Sequence, residues 1–265
     1  MMDEKKIISR REAIKVSFAG LAATFVGAGL LTGCGSDGRG RKPRVIAING
    51  SPRKDMNTAT LIDQALKGAR EAGAEVERVD LYDIKFKGCV SCLNCKLKKA
   101  RTYGLCAYRD DLRPILQRCR EADVIIFGSP IYYGNVNGTM RSFLERLMFP
   151  LDSYAIDKQT GERARYLDGT VPVGFIYTMN CPEQMRERAM GPMFRSLEGY
   201  VSRIFGSCET LYSTNTYQYK DYSLYDVNMM REEDKRAWRD AQFPKDKRLA
   251  FDMGSRLVGQ IVIQG

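Results

Sequence analysis

The chain contains no histidine. That absence excludes imidazole acid–base catalysis, Ser-His-Asp triads and histidine-ligated metal centres. No nucleic-acid-binding motif accompanies its basic residues, although Lys and Arg outnumber Asp and Glu by 42 to 32 and leave a net charge of +10. The positive residues are scattered through helices and connections, which reads as a basic solvated surface; docking to an anionic partner or a membrane is the sharper alternative. Internal repeats are absent. Low complexity is confined to one short stretch, GSDGRGRKPR, after Cys34. What is present in quantity is apolar residue (44% of 265 positions) and cysteine (eight). The first is enough for one well-packed domain.

From Arg44 the pattern is one of alternation. RVIAING (44–50) is a β-branched run ending in Asn-Gly, as a buried strand would. TATLIDQALKGAREAG (58–73) has helical spacing and stops at Gly73. Further strands are expected at 74–81, 123–130, 171–178 and 206–212. Helices are expected at 110–122, 138–148, 181–205 and 232–259, the last broken near Pro244. Strands alternating with helices predict a parallel sheet covered on both faces. Five units of this size suit a flavodoxin-like, doubly wound α/β sheet of order 2-1-3-4-5 over residues 44–265. Ligands in such sheets bind beyond the carboxyl ends of the strands, where the strand order reverses. The loops after strands one, three and four are therefore the places to look.

NGSPRKDMNT (49–58) joins strand one to its helix. Gly50 permits a tight turn. Ser51, Asn57 and Thr58 put short polar side chains near a helix N-terminus, and Arg53 adds charge. Free amides and the helix dipole favour a phosphate there; a polar capping loop is the plainer alternative. The loop is neither GxxxxGK[ST] nor GxGxxG. GSPR followed by NT resembles the phosphate loop of the flavodoxin-like, NADPH-dependent FMN reductase family. SPIYYGNVNGTMRSFLERL (129–147) is similar to that family's second signature, a Ser-Pro-aromatic-Gly loop against the isoalloxazine ring. The resemblance covers about residues 43–260. It implies FMN held through Ser51, Arg53, Asn57 and Thr58 at the phosphate, and through Pro130, Tyr132, Tyr133, Gly134 and Asn135 at the ring. Thr178, Met179 and Asn180 are a third contact expected from position alone. The family also implies NAD(P)H as electron donor.

KGCVSCLNCK (87–96) sets Cys89, Cys92 and Cys95 three residues apart, and Cys106 follows after ten more. Iron–sulfur flavoproteins, a branch of the same family, carry a similar C-x2-C-x2-C motif with a fourth cysteine after strand two. The resemblance implies [4Fe–4S] ligation by Cys89, Cys92, Cys95 and Cys106. The gap before Cys106 is wider than in that motif, though closure entropy grows slowly with loop length. A redox or structural disulfide and inert thiols both stay open. Cys119, Cys181 and Cys208 read as single structural thiols. KLKKAR (96–101) is read as a solvated loop or a dock for an acidic partner. The Tyr-rich stretch 211–226 is read as a flavin cap, a dimer seam or plain packing.

Residues 1–33 have the order of an export signal: a charged stretch, about 17 apolar residues with four glycines, then a small-residue boundary. Ser9-Arg10-Arg11 resembles the twin-arginine signal, whose cargo crosses the membrane folded. LTGC (31–34) resembles the lipobox of bacterial lipoproteins, which implies lipidation of Cys34. Each buried CH₂ of such a lipid contributes about 0.8 kcal/mol to anchoring. Residues 34–43 then form a flexible tether. The expectation is an exported, membrane-anchored FMN oxidoreductase, with an electron carrier or a small reducible compound as partner and self-association left open. A non-catalytic partner-binding protein and a thiol–disulfide protein using Cys92 and Cys95 are the rival classes.

Overall fold

The computed structural model describes residues 41–262, apart from 99, 101, 103, 157, 159, 160, 162 and 168. The export signal, Cys34 and most of the tether lie outside the described residues. No helix among the described residues is long and apolar enough to cross a membrane.

The elements run in the order β1 (Arg44–Asn49), α1 (Asn57–Glu71), β2 (Glu75–Asp80), α2 (Leu112–Glu121), β3 (Val124–Tyr132), β4 (Asn135–Val136), α3 (Gly138–Leu151), β5 (Asp152–Ile156), β6 (Arg163–Arg165), β7 (Val173–Thr178), α4 (Glu183–Phe205), β8 (Glu209–Ser213) and α5 (Glu232–Val262). The main sheet has the order β2-β1-β3-β7-β8, all parallel, with β4 added to the end of β3. This is the expected 2-1-3-4-5 flavodoxin-like arrangement.

Its central strands are buried on both faces, so their side chains divide by parity. Val45 and Ala47 of β1, with Val124 and Ile126 of β3, pack under α1 and α5. Ile46 and Ile48, with Ile125 and Phe127, pack under α2, α3 and α4. Phe127 is fully buried and meets Phe143, Phe175 and Phe205 edge-on at 6.0, 5.4 and 6.5 Å. On the other face α1 and α5 come so close that a Cβ on Gly254 would stand 1.8 Å from the Ala65 carbonyl oxygen.

Several boundaries differ from expectation. Helix α5 passes through Pro244 without a break. Proline removes one helical N–H, but the Gln242–Asp246 hydrogen bond (2.8 Å) spans it. Asp246 is itself buried and accepts from Ser213 Oγ on β8 at 2.6 Å. The fifth strand begins at Glu209 rather than 206, because Gly206 (φ 103°) ends α4 in the left-handed conformation that suits a helix C-terminus. The β5–β6 antiparallel pair is an addition that the sequence reading left without structure.

Candidate functional site

Loops from β1, β3 and β7 meet at the carboxyl edge of the sheet. The Gly50 amide donates to the Gly128 carbonyl at 2.8 Å, and Asn137 Nδ2 donates to the Gly50 carbonyl at 2.5 Å. Thr58 Oγ1 and Thr178 Oγ1 share a hydrogen bond of 2.7 Å. The two loops identified in the sequence therefore converge, and the third joins them. Ser51, Arg53, Asn57, Thr58, Pro130 and Tyr132 all line one cleft, together with Thr178, Met179 and Asn180.

The first loop is fixed from below. Asp80, at the end of β2, accepts from Asn49 Nδ2 at 2.7 Å, and Asn49 Oδ1 accepts the Ser51 amide at 3.0 Å. Burial pushes the Asp80 carboxyl up, but hydrogen bonds from Arg78 and Asn49 outweigh it and hold it below the usual carboxylate range. Ser51 Oγ accepts the Arg53 amide at 3.1 Å. Helix α1 then starts at Asn57 with no side-chain cap and no acidic residue in its first turn, although Asn57 and Thr58 are only 6% and 2% exposed. Buried, uncapped amides at the positive end of a helix dipole are the donor set a phosphate monoester requires. The residues fit the terminal phosphate of FMN.

The ring loop is a tight hairpin rather than an open loop. Strand β3 runs on to Tyr132, and Tyr133 (φ 50°) and Gly134 (φ 79°) turn the chain back into β4. Two successive positive φ values make the turn that hairpins of two residues prefer. Tyr132 is partly exposed at the cleft, and Tyr133 is fully exposed at the tip. Tyr133 and Gly134 do not line the cleft, and Asn135 lies instead beside a groove between α3 and α4. Of the five ring residues named from sequence, Pro130 and Tyr132 line the cleft.

Two participants, Asn137 and Lys235, were missed in the sequence, and the Tyr-rich stretch read there as a cap, a seam or packing meets the first loop. Asn137 caps α3 by accepting the Met140 amide at 3.1 Å, besides holding Gly50. It lies inside the quoted signature, and Asn before a helical run is a cap signal. The segment after β8 straps the phosphate loop: Arg53 Nη1 donates to the Gln218 carbonyl at 2.6 Å and Asn57 Nδ2 to the Tyr217 carbonyl at 2.9 Å. The Tyr-rich stretch thus packs against the first loop, with Tyr217 and Tyr222 at 4.8 Å. Lys235 of α5 is buried and donates to the Asn180 carbonyl at 2.8 Å and to Asn180 Oδ1 and Asn215 Oδ1 at 2.5 Å each. No pattern around Lys235 distinguishes it in the sequence.

The four cysteines of the second motif line one small cavity. Ser91 (φ 53°) and Leu93 (φ 58°) are both left-handed, and they fold the chain back between Cys89, Cys92 and Cys95. Cys89 and Cys92 are exposed, Cys106 is half-buried and Cys95 is buried, and all are free thiols. Burial pushes the Cys95 thiol up. Among the described residues no three Cys, Asp or Glu side chains are placed to hold a single metal ion. An all-cysteine set facing one cavity fits a multinuclear iron–sulfur cluster in donor type and number. Lys96 is not a free loop charge: its Nζ donates to the Asp152 carbonyl and sits 4.8 Å over the Phe149 ring and 5.5 Å over Tyr154. Of the remaining thiols, Cys119 is buried, whereas Cys181 and Cys208 are half-buried, and burial pushes Cys208 up to about 12.

The fold and the cleft define a flavodoxin-like protein. Comparison with known proteins narrows the class. Residues 43–166, a span that carries both loops and the four-cysteine motif, match the model of the NADPH-dependent FMN reductase family. An iron–sulfur flavoprotein of Methanocaldococcus jannaschii is 39% identical over 103 residues, 39% of this chain and 51% of that protein. One from Archaeoglobus fulgidus is 36% identical over 105 residues, 40% of this chain and 46% of that one. The chain spans about half the length of the curated relatives it matches. Among solved structures, an NAD(P)H:quinone oxidoreductase from Methanothermobacter marburgensis superposes with a TM-score of 0.57 at 14% identity, over 82% of this chain and 98% of that one. An FMN-dependent NADH-azoreductase from Bacillus anthracis in complex with FMN gives 0.55 at 10%, over 82% and 99%. At these identities the structural likeness shows the fold alone.

Proposed function

We propose that this chain is an FMN-dependent oxidoreductase that also carries a [4Fe–4S] cluster. The observation that carries the reading is the buried, uncapped start of α1 set opposite Pro130 and Tyr132 in one cleft. The amides of Asn57 and Thr58, with Ser51 and Arg53, hold the phosphate. Asn57 contributes its amide rather than its side chain, whose two ends are taken by Tyr217 and by Arg239 Nη1 (3.1 Å). Pro130 and Tyr132 present a flat apolar wall to the ring, and the Thr178–Asn180 loop closes the far side. Bound FMN supplies electron transfer in one- or two-electron steps; the chain supplies orientation and electrostatics. Cys89, Cys92, Cys95 and Cys106 would hold the cluster, whose bound form passes single electrons. No protein acid or nucleophile is needed, in keeping with a chain without histidine.

The names of the relatives support a donor of the NAD(P)H type. Residues 1–34 favour export of the folded, cofactor-loaded protein by the twin-arginine route and anchoring through a lipidated Cys34. Outside the cytoplasm a quinone, another membrane-bound carrier or a small reducible compound is the better redox partner, because pyridine nucleotides are largely cytosolic. Protein purified without air tests the main reading: a flavin absorbance spectrum with iron at about four per chain supports it, and a colourless, folded protein removes it. Intact-mass analysis of the membrane fraction tests the anchor. A chain beginning at a diacylglyceryl-modified Cys34 is expected, and an unmodified full-length product contradicts it.

A further inference from the structure

Arg146 sits on the buried face of α3, three residues after Phe143 and four before Pro150. Its side chain is 1% exposed. A guanidinium so deeply buried is costly unless every donor is satisfied, and here each nitrogen is engaged. Nε donates to Cys106 Sγ at 3.3 Å. Nη1 donates to the Lys87 carbonyl at 3.0 Å and to Asp110 Oδ2. Nη2 donates to the Tyr108 carbonyl at 3.2 Å and to Asp110 Oδ1 at 2.9 Å. Lys87 lies two residues before Cys89, and Tyr108 two residues after Cys106. One side chain therefore grips both ends of the cysteine segment while itself lining the cavity the four thiols face.

We infer that Arg146 is the positioning residue of the four-cysteine site, fastening both ends of the Cys89–Cys106 segment to α3 and placing a charged N–H on Cys106 Sγ. The planar fork does what a lysine cannot: it spans a sulfur, two carbonyls and a carboxylate at once. It also accounts for how a segment with a ten-residue gap before its last cysteine closes. The redox consequence rests on the cluster reading above; the positioning consequence does not. A cationic donor at a ligand sulfur stabilises the more negative, reduced state of the cluster and raises its potential.

The test uses the full chain purified without air, as wild type, Arg146→Gln and Arg146→Lys, with bound flavin as the measure of folding. Arg146→Gln is expected to lower the iron-to-flavin ratio severalfold. In the loaded fraction it should weaken cluster reduction about tenfold against a reference dye, equivalent to about 59 mV for one electron. Arg146→Lys, which keeps the charge but not the fork, should also load less iron, with a midpoint closer to wild type. Wild-type iron and wild-type midpoint in both variants overturn the inference; if Arg146→Gln does not fold, Arg146→Lys decides alone on the same criteria. Should the wild type prove flavin-loaded but iron-free, the cluster reading falls, and maleimide labelling decides the positioning claim. Cys106 is then expected to react about tenfold faster in Arg146→Gln, and an unchanged rate overturns it.

Discussion

The cleft at the sheet edge draws on three strands of one parallel sheet, whereas the cysteine cavity hangs from a segment whose described residues hold one 3₁₀ turn, Asn94–Lys96. In the cleft, backbone meets backbone: Gly50 on Gly128, with β1, β3 and β7 fixing where each loop departs. At the cavity, two side chains add to the segment's own turns and its Gly104–Cys95 backbone bond. Arg146 holds the ends of the segment, and Lys96 ties its middle to the carbonyl of Asp152. The difference teaches that topology can place a cofactor's phosphate with little help from any one residue. The cysteine segment instead leans on two charged side chains, Arg146 and Lys96. Loss of one residue should therefore hurt the cavity more than the cleft.

The largest effect expected from that contrast is at the cavity. Cys106→Ser should take bound iron from about four per chain to none while leaving the flavin spectrum intact, as metal analysis beside absorbance would read. Full iron in this variant would mean that the fourth ligand lies elsewhere. Next is the scaffold of the cleft. Gly254→Ala sets a methyl into the Ala65 carbonyl and pries α5 from α1, the helix whose start is the proposed phosphate site. Overpacking of this kind costs about 3 kcal/mol, or roughly 6–12 °C in Tm for a domain of this size. A thermal melt within a degree of wild type would show that the helices can slide apart freely.

Smaller still is the loss of one cleft contact. Arg53→Ala removes a charged donor of about 1.5–3 kcal/mol, so FMN affinity by fluorescence quenching should fall roughly ten- to hundredfold with the melt of the apoprotein unchanged. The smallest effect is on pH. The Asp80 carboxyl is depressed in the folded chain. Its support for Asn49 and the Ser51 turn is therefore complete above the unfolded value near 3.9 and is lost as pH falls through the lower folded value. Flavin release on acidification should begin below about pH 4, and Asp80→Asn should flatten that acid limb.

Much of the cleft was legible because it is local in sequence. Asn-Gly after a β-branched run marks a strand end, and short polar residues before a helical period mark a helix start; both loops quoted from sequence meet in space. The alternation of strands with helices likewise implied a sheet covered on both faces. The parts that escaped are long-range. Arg146 looks like any helix-surface arginine until Asp110 and Cys106 are brought to it, although its register with Phe143 places it on the apolar face. Lys235 is buried where Asn180 and Asn215 reach it from the loops after β7 and β8. Pro244 reads as a break, yet the helix runs through it, and Asp246 two residues on is tied to Ser213 of β8. The hairpin that carries Tyr133 and Gly134 is set by pairing of Tyr132 with Asn135, which spacing alone does not reveal.

The most direct measurement is a comparison of FMN with riboflavin on flavin-stripped protein by fluorescence quenching. If the buried start of α1 and the Ser51–Arg53 turn seat the phosphate, FMN binds at one per chain and at least about tenfold tighter than riboflavin, which lacks that group. Equal affinity for the two, or binding of neither by the folded chain, would contradict the account.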